Sequence, residues 1–529
     1  VLERIEAGGK ATKLALAAAL IGVSGVLLFS AWLCDDAYIT FRTVDNFVSG
    51  RGLTWNAVER VQGYTHPLWM FLVSGFYTVT GDIYYTTIAL QIALTLAVGA
   101  VLFARVARGP VRGLAAMAAI VLSKAFVDFS TSGLENPLSH LLLVGFCAAL
   151  FSPSRRPYRR LGLLTLLASA ALLTRLDNLL LTGPALCLEV GRLVRADGLV
   201  RAARRGLPWL VSGVAPLLLW ELFSAFYYGF LLPNTAYAKL ATGIPLADYA
   251  AQGLRYLVNS LHLDPLTLLT VGLGLALGLA RGDGRSRALS IGVALHLVYV
   301  VRAGGDFMSG RFLTASFLVA VVVLSRVELR EEWLYRTAAA AFLLLAAAAG
   351  SFPTLDWWYV HGSPSAKDAH GIADHRRELY PATGLFHRDR QSSVPNHDWA
   401  ERGLRFRETH VDKAPRLGGT GFTGFYAGPG VYIADMWALT DPLLARLPFD
   451  EVRKGRGWRP GHFHRSMPEG YHQTLLSGRN AIADPDLHAY YDKLVLITRA
   501  DLCAPGRFEA IWEINTGGYD HLVERYWGH

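Results

Sequence analysis

Runs of about 15 to 23 apolar residues recur through the first 350 positions of this 529-residue chain and then stop. Few folds accept that pattern. A helix rises about 1.5 Å per residue and satisfies its own backbone hydrogen bonds, so runs of this length match the hydrocarbon core of a bilayer. Only 18% of the residues are charged and 52% are hydrophobic, whereas a soluble chain has about a quarter of its residues charged. The first two-thirds is therefore expected to be membrane. The first run, Ala15 to Leu33, is too long for the apolar stretch of a signal peptide and is expected to be retained.

Eleven spans are expected, near 14–33, 84–104, 113–128, 136–151, 161–174, 178–190, 208–228, 265–280, 288–303, 311–325 and 337–351. With the N-terminus inside, the cytoplasmic segments carry 21 Lys or Arg in 64 residues, and the outer segments before the last span carry 8 in 110. Basic residues collect on the cytoplasmic side of membrane proteins, so the formal net charge of +9 is a topology signal and not a nucleic-acid footprint. The stretch Thr65 to Thr80 is apolar enough to be counted as a span, but counting it would invert every later loop. It is expected to lie along the outer interface, with Tyr64, Trp69 and Tyr77 as anchors. Ala37, Phe41, Val44 and Val48 recur at helical spacing just upstream, so the first outer loop should hold two interfacial helices. Four cysteines without a CxxC pair give no disulfide framework.

Ionisable residues at span ends are costly and point to function. Five loops place such residues on the outer face: Asp35 and Asp36; His66; Glu135 in SGLENPL with Arg175 and Asp177 in TRLDN; Lys239 in PNTAYAK; Asp306 and Arg311 in GGDFMSGRF. Each has a plain structural reading as well: helix capping for Asp35, Asp36, Asp306 and His66, and an ion pair between helix ends for Arg175 and Asp177. Acids beside bases at one depth suit transfer of a group from a lipid phosphate. A carboxylate takes a hydroxyl proton or steadies charge on a sugar ring, and Arg or Lys stabilises the departing phosphate.

The segment CDDAYITFRTVDNFVSGRGLTWNAVERVQGYTHPLWMFL resembles the GT-C class of membrane glycosyltransferases, with its diacidic pair after span one and its GYTHP segment before an interfacial helix. SGLENPL, TRLDN, PNTAYAK, GDFMSGRF and, further on, GFYAGPGVYIADMWALTDPLLARLP resemble more narrowly the mycobacterial terminal β-(1→2) arabinofuranosyltransferases (AftB type). The resemblance implies a decaprenyl-phosphoryl-arabinofuranose donor and arabinan acceptors of arabinogalactan and lipoarabinomannan. Donor and product are both β in that family, so it implies transfer with retention. Asp35 and Asp36 match the catalytic acidic pair. His66, Arg175, Lys239 and Arg311 are the candidates for the phosphate, and Tyr38, Glu135, Asp177, Asn234, Tyr237 and Asp306 for the remaining substrate contacts. No dedicated metal cage is visible, so metal-independent catalysis is expected, although two acids offer a divalent cation oxygen ligands.

Residues 1–351 are read as the transmembrane catalytic domain and 352–529 as an extracytoplasmic mixed α/β domain. The latter holds 12 of 16 histidines and 7 of 13 tryptophans. Val431 to Ala434 and Leu494 to Thr498 are expected strands, and Pro442 to Leu447 a short helix. Trp357, Trp358, Trp437 and Trp458 offer surfaces for sugar stacking or fill a core. His462 and His464 alone do not make a zinc site. Two rival functions stand beside the arabinofuranosyltransferase: another transferase of the same class, and a flippase for a lipid-linked sugar. A flippase fits less well, because the chain shows no internal repeat.

Overall fold

A computed structural model describes residues 9–240, 242–328, 367–387, 392–409, 414–449 and 460–528. Each of the ten expected spans within those residues falls on a helix; the eleventh, 337–351, lies outside them, as do Trp357, Trp358 and Trp458. By length and apolarity, three helices among the described residues are sufficient to cross a membrane alone: Lys10–Ser30, Ile83–Val106 and Leu199–Tyr227. A further pair, Leu246–Leu263 and Pro265–Arg281, bends by 112° at its junction. Asp264 makes that junction, accepting from Thr267 N–H (3.2 Å) and Ala125 N–H (2.8 Å) ahead of Pro265. The first of the two helices is amphipathic and went unrecognised in the sequence.

The expected span 113–128 is broken. Its helix, Pro110–Leu122, stops at Ser123, whose hydroxyl caps a short turn Lys124–Asp128. The break lets a buried lysine inside an apolar run meet its partners: Lys124 pairs with Asp128, and with Asp374 at 2.9 Å.

Contacts divide the chain into two compact units, and not at a single cut near 351. The first comprises Val1–Cys34, Tyr84–Leu217 and Leu246–Gln391, and the second Asp35–Ile83, Leu218–Pro245 and Ser392–His529. In the first unit the Leu313–Leu324 helix is buried from Leu313 to Val323, with Phe317 and Val321 in a core shared with Leu143, Leu164, Leu181 and Val293. A helix that is apolar all round belongs at such a centre. Small residues let its neighbours approach closely. A Cβ at Gly274 would stand 2.6 Å from Ala320 Cβ, and one at Gly292 would stand 2.7 Å from Leu181 O.

Among the described residues, the regular structure of the second unit is helical apart from one two-residue strand pair, with long loops between the helices, which corrects the expected mixed α/β domain. The expected strand Leu494 to Thr498 is the end of the helix Pro485–Thr498. Leu487, Tyr490, Tyr491, Leu494 and Ile497 are its buried apolar and aromatic residues, a spacing of three and four, and Asp484 caps it by accepting from Leu487 N–H at 2.8 Å. A short apolar window hid the longer period. Of Val431 to Ala434, only Ala434 is in a strand: a two-residue parallel pair joins Arg416–Leu417 to Ala434–Asp435. Pro442 to Leu447 contains one 3₁₀ turn, Leu444–Arg446. Two fully buried arginines lock this unit through backbone carbonyls. Arg465 donates to Leu447, Phe463 and Ala238 (2.7–2.8 Å), and Arg507 donates to Ile497, Phe226 and Tyr227 (2.9–3.0 Å). Carbonyls at helix C-termini are natural partners for such charge.

Candidate active site

The two helices expected in the first outer loop are present in the second unit, as Asp35–Val48 and Pro67–Thr80. Asp35 and Asp36 open the first of them, where negative charge is favoured by the helix dipole. Asp35 is buried and Asp36 half-buried. Phe422 N–H donates to Asp35 Oδ1 at 2.6 Å, from the start of the short helix Gly421–Ala427. That approach depends on glycine: a Cβ at Gly421 would lie 1.9 Å from the Asp35 carbonyl oxygen. Burial pushes the Asp35 carboxyl up to about 7, with the neighbouring Asp36 charge adding to the rise and the Phe422 amide opposing it.

One turn beyond Asp36 on the same helix, Thr40 Oγ1 lies 2.8 Å from His66 Nε2, and Thr65 Oγ1 lies 3.4 Å from Nδ1. His66 is the N-terminal flanking residue of Pro67–Thr80, with Pro67 in the first turn. Tyr38 is fully buried among Phe41, Phe422, Phe425 and Tyr426, with centroids 4.8–5.9 Å away, so its ring builds the acidic helix's seat.

Arg42, also buried, went unnoticed in the sequence. Its guanidinium donates to Trp55 O (2.8 Å), Gly424 O (2.7 Å) and Val431 O (2.7 Å), and its Cζ lies 4.3 Å from the Trp55 ring centroid. Burial lowers it to about 9, so it stays charged at neutral pH. Asn234 is spent on the fold: its amide donates to Ala438 O (3.0 Å) and Asp441 O (3.0 Å), and its Oδ1 accepts from Arg446 (3.1 Å). Tyr237 lies against that same Arg446, 4.4 Å from its centroid to Cζ. Lys239 is exposed in the last turn of Asn234–Leu240. His462 meets Trp437 edge-on at 4.3 Å. No cluster of three His, Cys, Asp or Glu side chains suited to a metal ion occurs among the described residues.

The first unit gathers the other candidates into one network. Arg175 grips Asp177 through two bonds (3.0 and 2.7 Å) and reaches Glu135 Oε1 at 3.0 Å. Arg311 reaches the same Glu135 oxygen at 3.4 Å and Asp306 Oδ2 at 3.2 Å. His296 joins through Asp177 Oδ2 (3.3 Å) and Ser316 (2.9 Å). Inside an apolar run, nothing in the sequence marked that histidine. Asp306 accepts from Phe307 N–H at 2.8 Å, so it holds its own loop and does not cap the next span. Three carboxylates surround two guanidinium groups, and an incoming phosphate has to compete with them. Removing one partner of a buried pair costs about 3–5 kcal/mol. Arg175→Gln is therefore expected to lower the melting temperature of the purified protein markedly. Arg205→Gln, whose pair with Asp197 is 3.5 Å long and largely exposed, should change it little.

No family model matches the sequence. The chain is 30% identical over 413 residues to the terminal β-(1→2)-arabinofuranosyltransferase of Mycobacterium tuberculosis, covering 67% of this chain and 63% of that protein. It is 31% identical over 338 residues to the protein of the same name from Corynebacterium glutamicum, covering 56% of this chain and 48% of that protein. The chain thus spans between about half and just under two-thirds of the length of these curated relatives. Over that length, a chain whose Asp35–Val48 helix opens on two acids resembles proteins named terminal β-(1→2)-arabinofuranosyltransferases.

Proposed function

We propose that the protein is a membrane glycosyltransferase of the GT-C class. In this reading it moves an arabinofuranosyl group from decaprenyl-phosphoryl-arabinofuranose to arabinan termini of arabinogalactan and lipoarabinomannan, forming β-(1→2) linkages with retention. The reaction takes place on the extracytoplasmic side of the plasma membrane. The observation that carries the reading is Asp35: a buried carboxyl held near 7, aimed by a backbone N–H and adjacent to a second acid. The names of the two relatives support it.

During transfer the bond between the anomeric carbon and the phosphate oxygen breaks and a bond to the acceptor hydroxyl oxygen forms. The hydroxyl proton must leave and positive charge builds on the ring. A carboxyl poised near neutrality exchanges a proton readily, and a second carboxylate steadies ring charge or forms a transient bond to it. Phosphate recognition by His66, Arg175, Lys239 and Arg311 belongs to the same proposal, as does catalysis without a metal ion. Turnover is expected to persist in excess chelator.

The test is transfer by purified protein from synthetic polyprenyl-phosphoryl-arabinofuranose to an arabinan oligosaccharide, read by linkage-sensitive mass spectrometry. A different sugar or acceptor would assign another transferase activity, and movement of the lipid-linked sugar without bond formation would assign a flippase. The pH profile adds a sharper reading. If Asp35 works as a carboxylate, kcat/KM rises with pH and levels off above about 7, falling about tenfold per unit below that. Stability runs the other way. Burial raises Asp35 to about 7, Asp435 to about 6 and Asp441 to about 7. A folded-state value above the unfolded one means that the stabilisation is complete below the unfolded value and is lost as pH rises through the folded one. The melting temperature should fall between pH 5 and 8 while activity climbs.

A further inference from the structure

A cavity of about 830 Å³ opens in the first unit, and six arginines line it: Arg105, Arg108, Arg156, Arg159, Arg160 and Arg326. By the charge count, these residues lie at the cytoplasmic ends of their spans, opposite the acidic residues of the outer loops. Arg108 pairs with Glu328, and Arg160 with Glu189. Arg105, Arg156 and Arg159 take part in no ion pair among the described residues, so positive charge exceeds negative around the cavity. The bias of basic residues toward the cytoplasm explains why the arginines are on this side. It does not explain why they turn into one concavity, where like charges repel unless an anion sits among them.

The cavity has a second character. Gly145, Ala148 and Ala149 of the Asn136–Phe151 helix and Leu163 and Leu167 of the Pro157–Leu172 helix make an apolar wall below the arginines. The small residues leave room along that wall; even a Cβ at Gly145 meets only Leu167, at 3.8 Å. The floor is fixed. Arg326 donates to Val106 O at 2.7 Å and lies 3.8 Å over the Phe151 ring, and Arg108 N–H donates to Ser325 O at 3.2 Å. A guanidinium rim over an apolar slot fits an amphiphile with a phosphate head. Guanidinium groups bind phosphate through paired N–H bonds, and the volume lies within the range of ligand pockets, about 300–1,000 Å³.

We propose that this cavity holds the phosphate headgroup of an anionic phospholipid from the cytoplasmic leaflet, with an acyl chain against the wall formed by Gly145, Ala148 and Leu167. The inference is independent of the transferase reading and concerns the opposite side of the membrane.

The test uses the full-length protein purified in detergent, with phosphatidylglycerol or phosphatidylcholine added and retained lipid counted by native mass spectrometry. Wild type is expected to retain phosphatidylglycerol at least about fivefold over phosphatidylcholine, and the double variant Arg105→Gln/Arg156→Gln to lose about thirtyfold of that retention, since each of the two basic groups near a phosphate contributes about 1 kcal/mol and about 1.4 kcal/mol is a factor of ten. Only two of the 21 inner basic residues are removed, so the charge bias that sets orientation survives. Equal retention of the two lipids, or unchanged retention in the variant, overturns the proposal. Loss of bound phosphatidylglycerol to an equal concentration of inorganic phosphate also overturns it, assigning the site to free phosphate. If the double variant does not fold, Gly145→Leu takes its place. It fills the apolar wall without touching a charge and must lower retention as well.

Discussion

Asp35→Asn and Asp36→Asn are each expected to reduce transfer by about 10²–10⁴-fold while leaving a folded protein. The folding half of that expectation follows from the environment of Asp35. Its Oδ1 accepts from Phe422 N–H at 2.6 Å, and an asparagine oxygen serves that amide equally well. Burial disfavours the charge at this position, so an uncharged isostere relieves a cost at pH 8, and the variant should melt no lower than wild type there. At Asp36 the substitution removes a half-buried charge in the first turn of a helix, where its interaction with the helix dipole is worth about 0.3–1 kcal/mol. A rate collapse without a drop in melting temperature separates chemistry from structure. The two substitutions also differ in a useful way. The Asp36 charge helps hold the Asp35 carboxyl up; if Asp36 only tunes its neighbour, Asp36→Asn moves the pH profile to the acid side and leaves the plateau rate intact. Ordinary turnover in both single variants would remove the diacidic pair from the mechanism.

Gly421→Ala is expected to damage stability and rate together. The added methyl would stand 1.9 Å from the Asp35 carbonyl oxygen and 2.6 Å from its Cγ. Restoring 3.0 Å requires a shift of about 1 Å between the Gly421–Ala427 and Asp35–Val48 helices. Overpacking of this kind costs about 1–3 kcal/mol or more, and a 1 Å misplacement of a catalytic group costs about a hundredfold in rate. The shift also strains the Arg42 bonds to Gly424 and Val431. Gly430→Ala is the control: a Cβ there meets nothing within 4 Å, and both melting temperature and transfer should stay at wild-type levels. Should Gly421→Ala fold and turn over normally, the contact between its helix and Asp35 has no part in holding the carboxyl.

Several features were readable because they are local. An apolar run of sufficient length tends to form a helix whatever surrounds it, and nine of the ten expected spans among the described residues fall on a single helix each, the tenth, 113–128, being split at Ser123. The amphipathic spacing of Ala37, Phe41, Val44 and Val48 identified the Asp35–Val48 helix in the same way. The plain reading of TRLDN as an ion pair between Arg175 and Asp177 matches the structure, whereas the wider network that adds Glu135, Asp306 and Arg311 was not foreseen, because its members come from separate loops. Where the window was too short the reading failed, as at Leu494 to Thr498, because five apolar residues satisfy a strand or one side of a helix alike.

Segment length, the uneven share of basic residues between alternate loops and the acidic start of the second helix were set by the order of residues alone, since each is a property of a contiguous stretch or of its first turn. What surrounds each charge was decided only in three dimensions. Asp35 meets an amide 387 positions away, Arg42 a carbonyl 389 positions away, and His296 joins Asp177 from 119 positions away. The cost of a buried charge depends on the few atoms packed around it, and the folded chain brings those atoms from stretches that no local pattern connects.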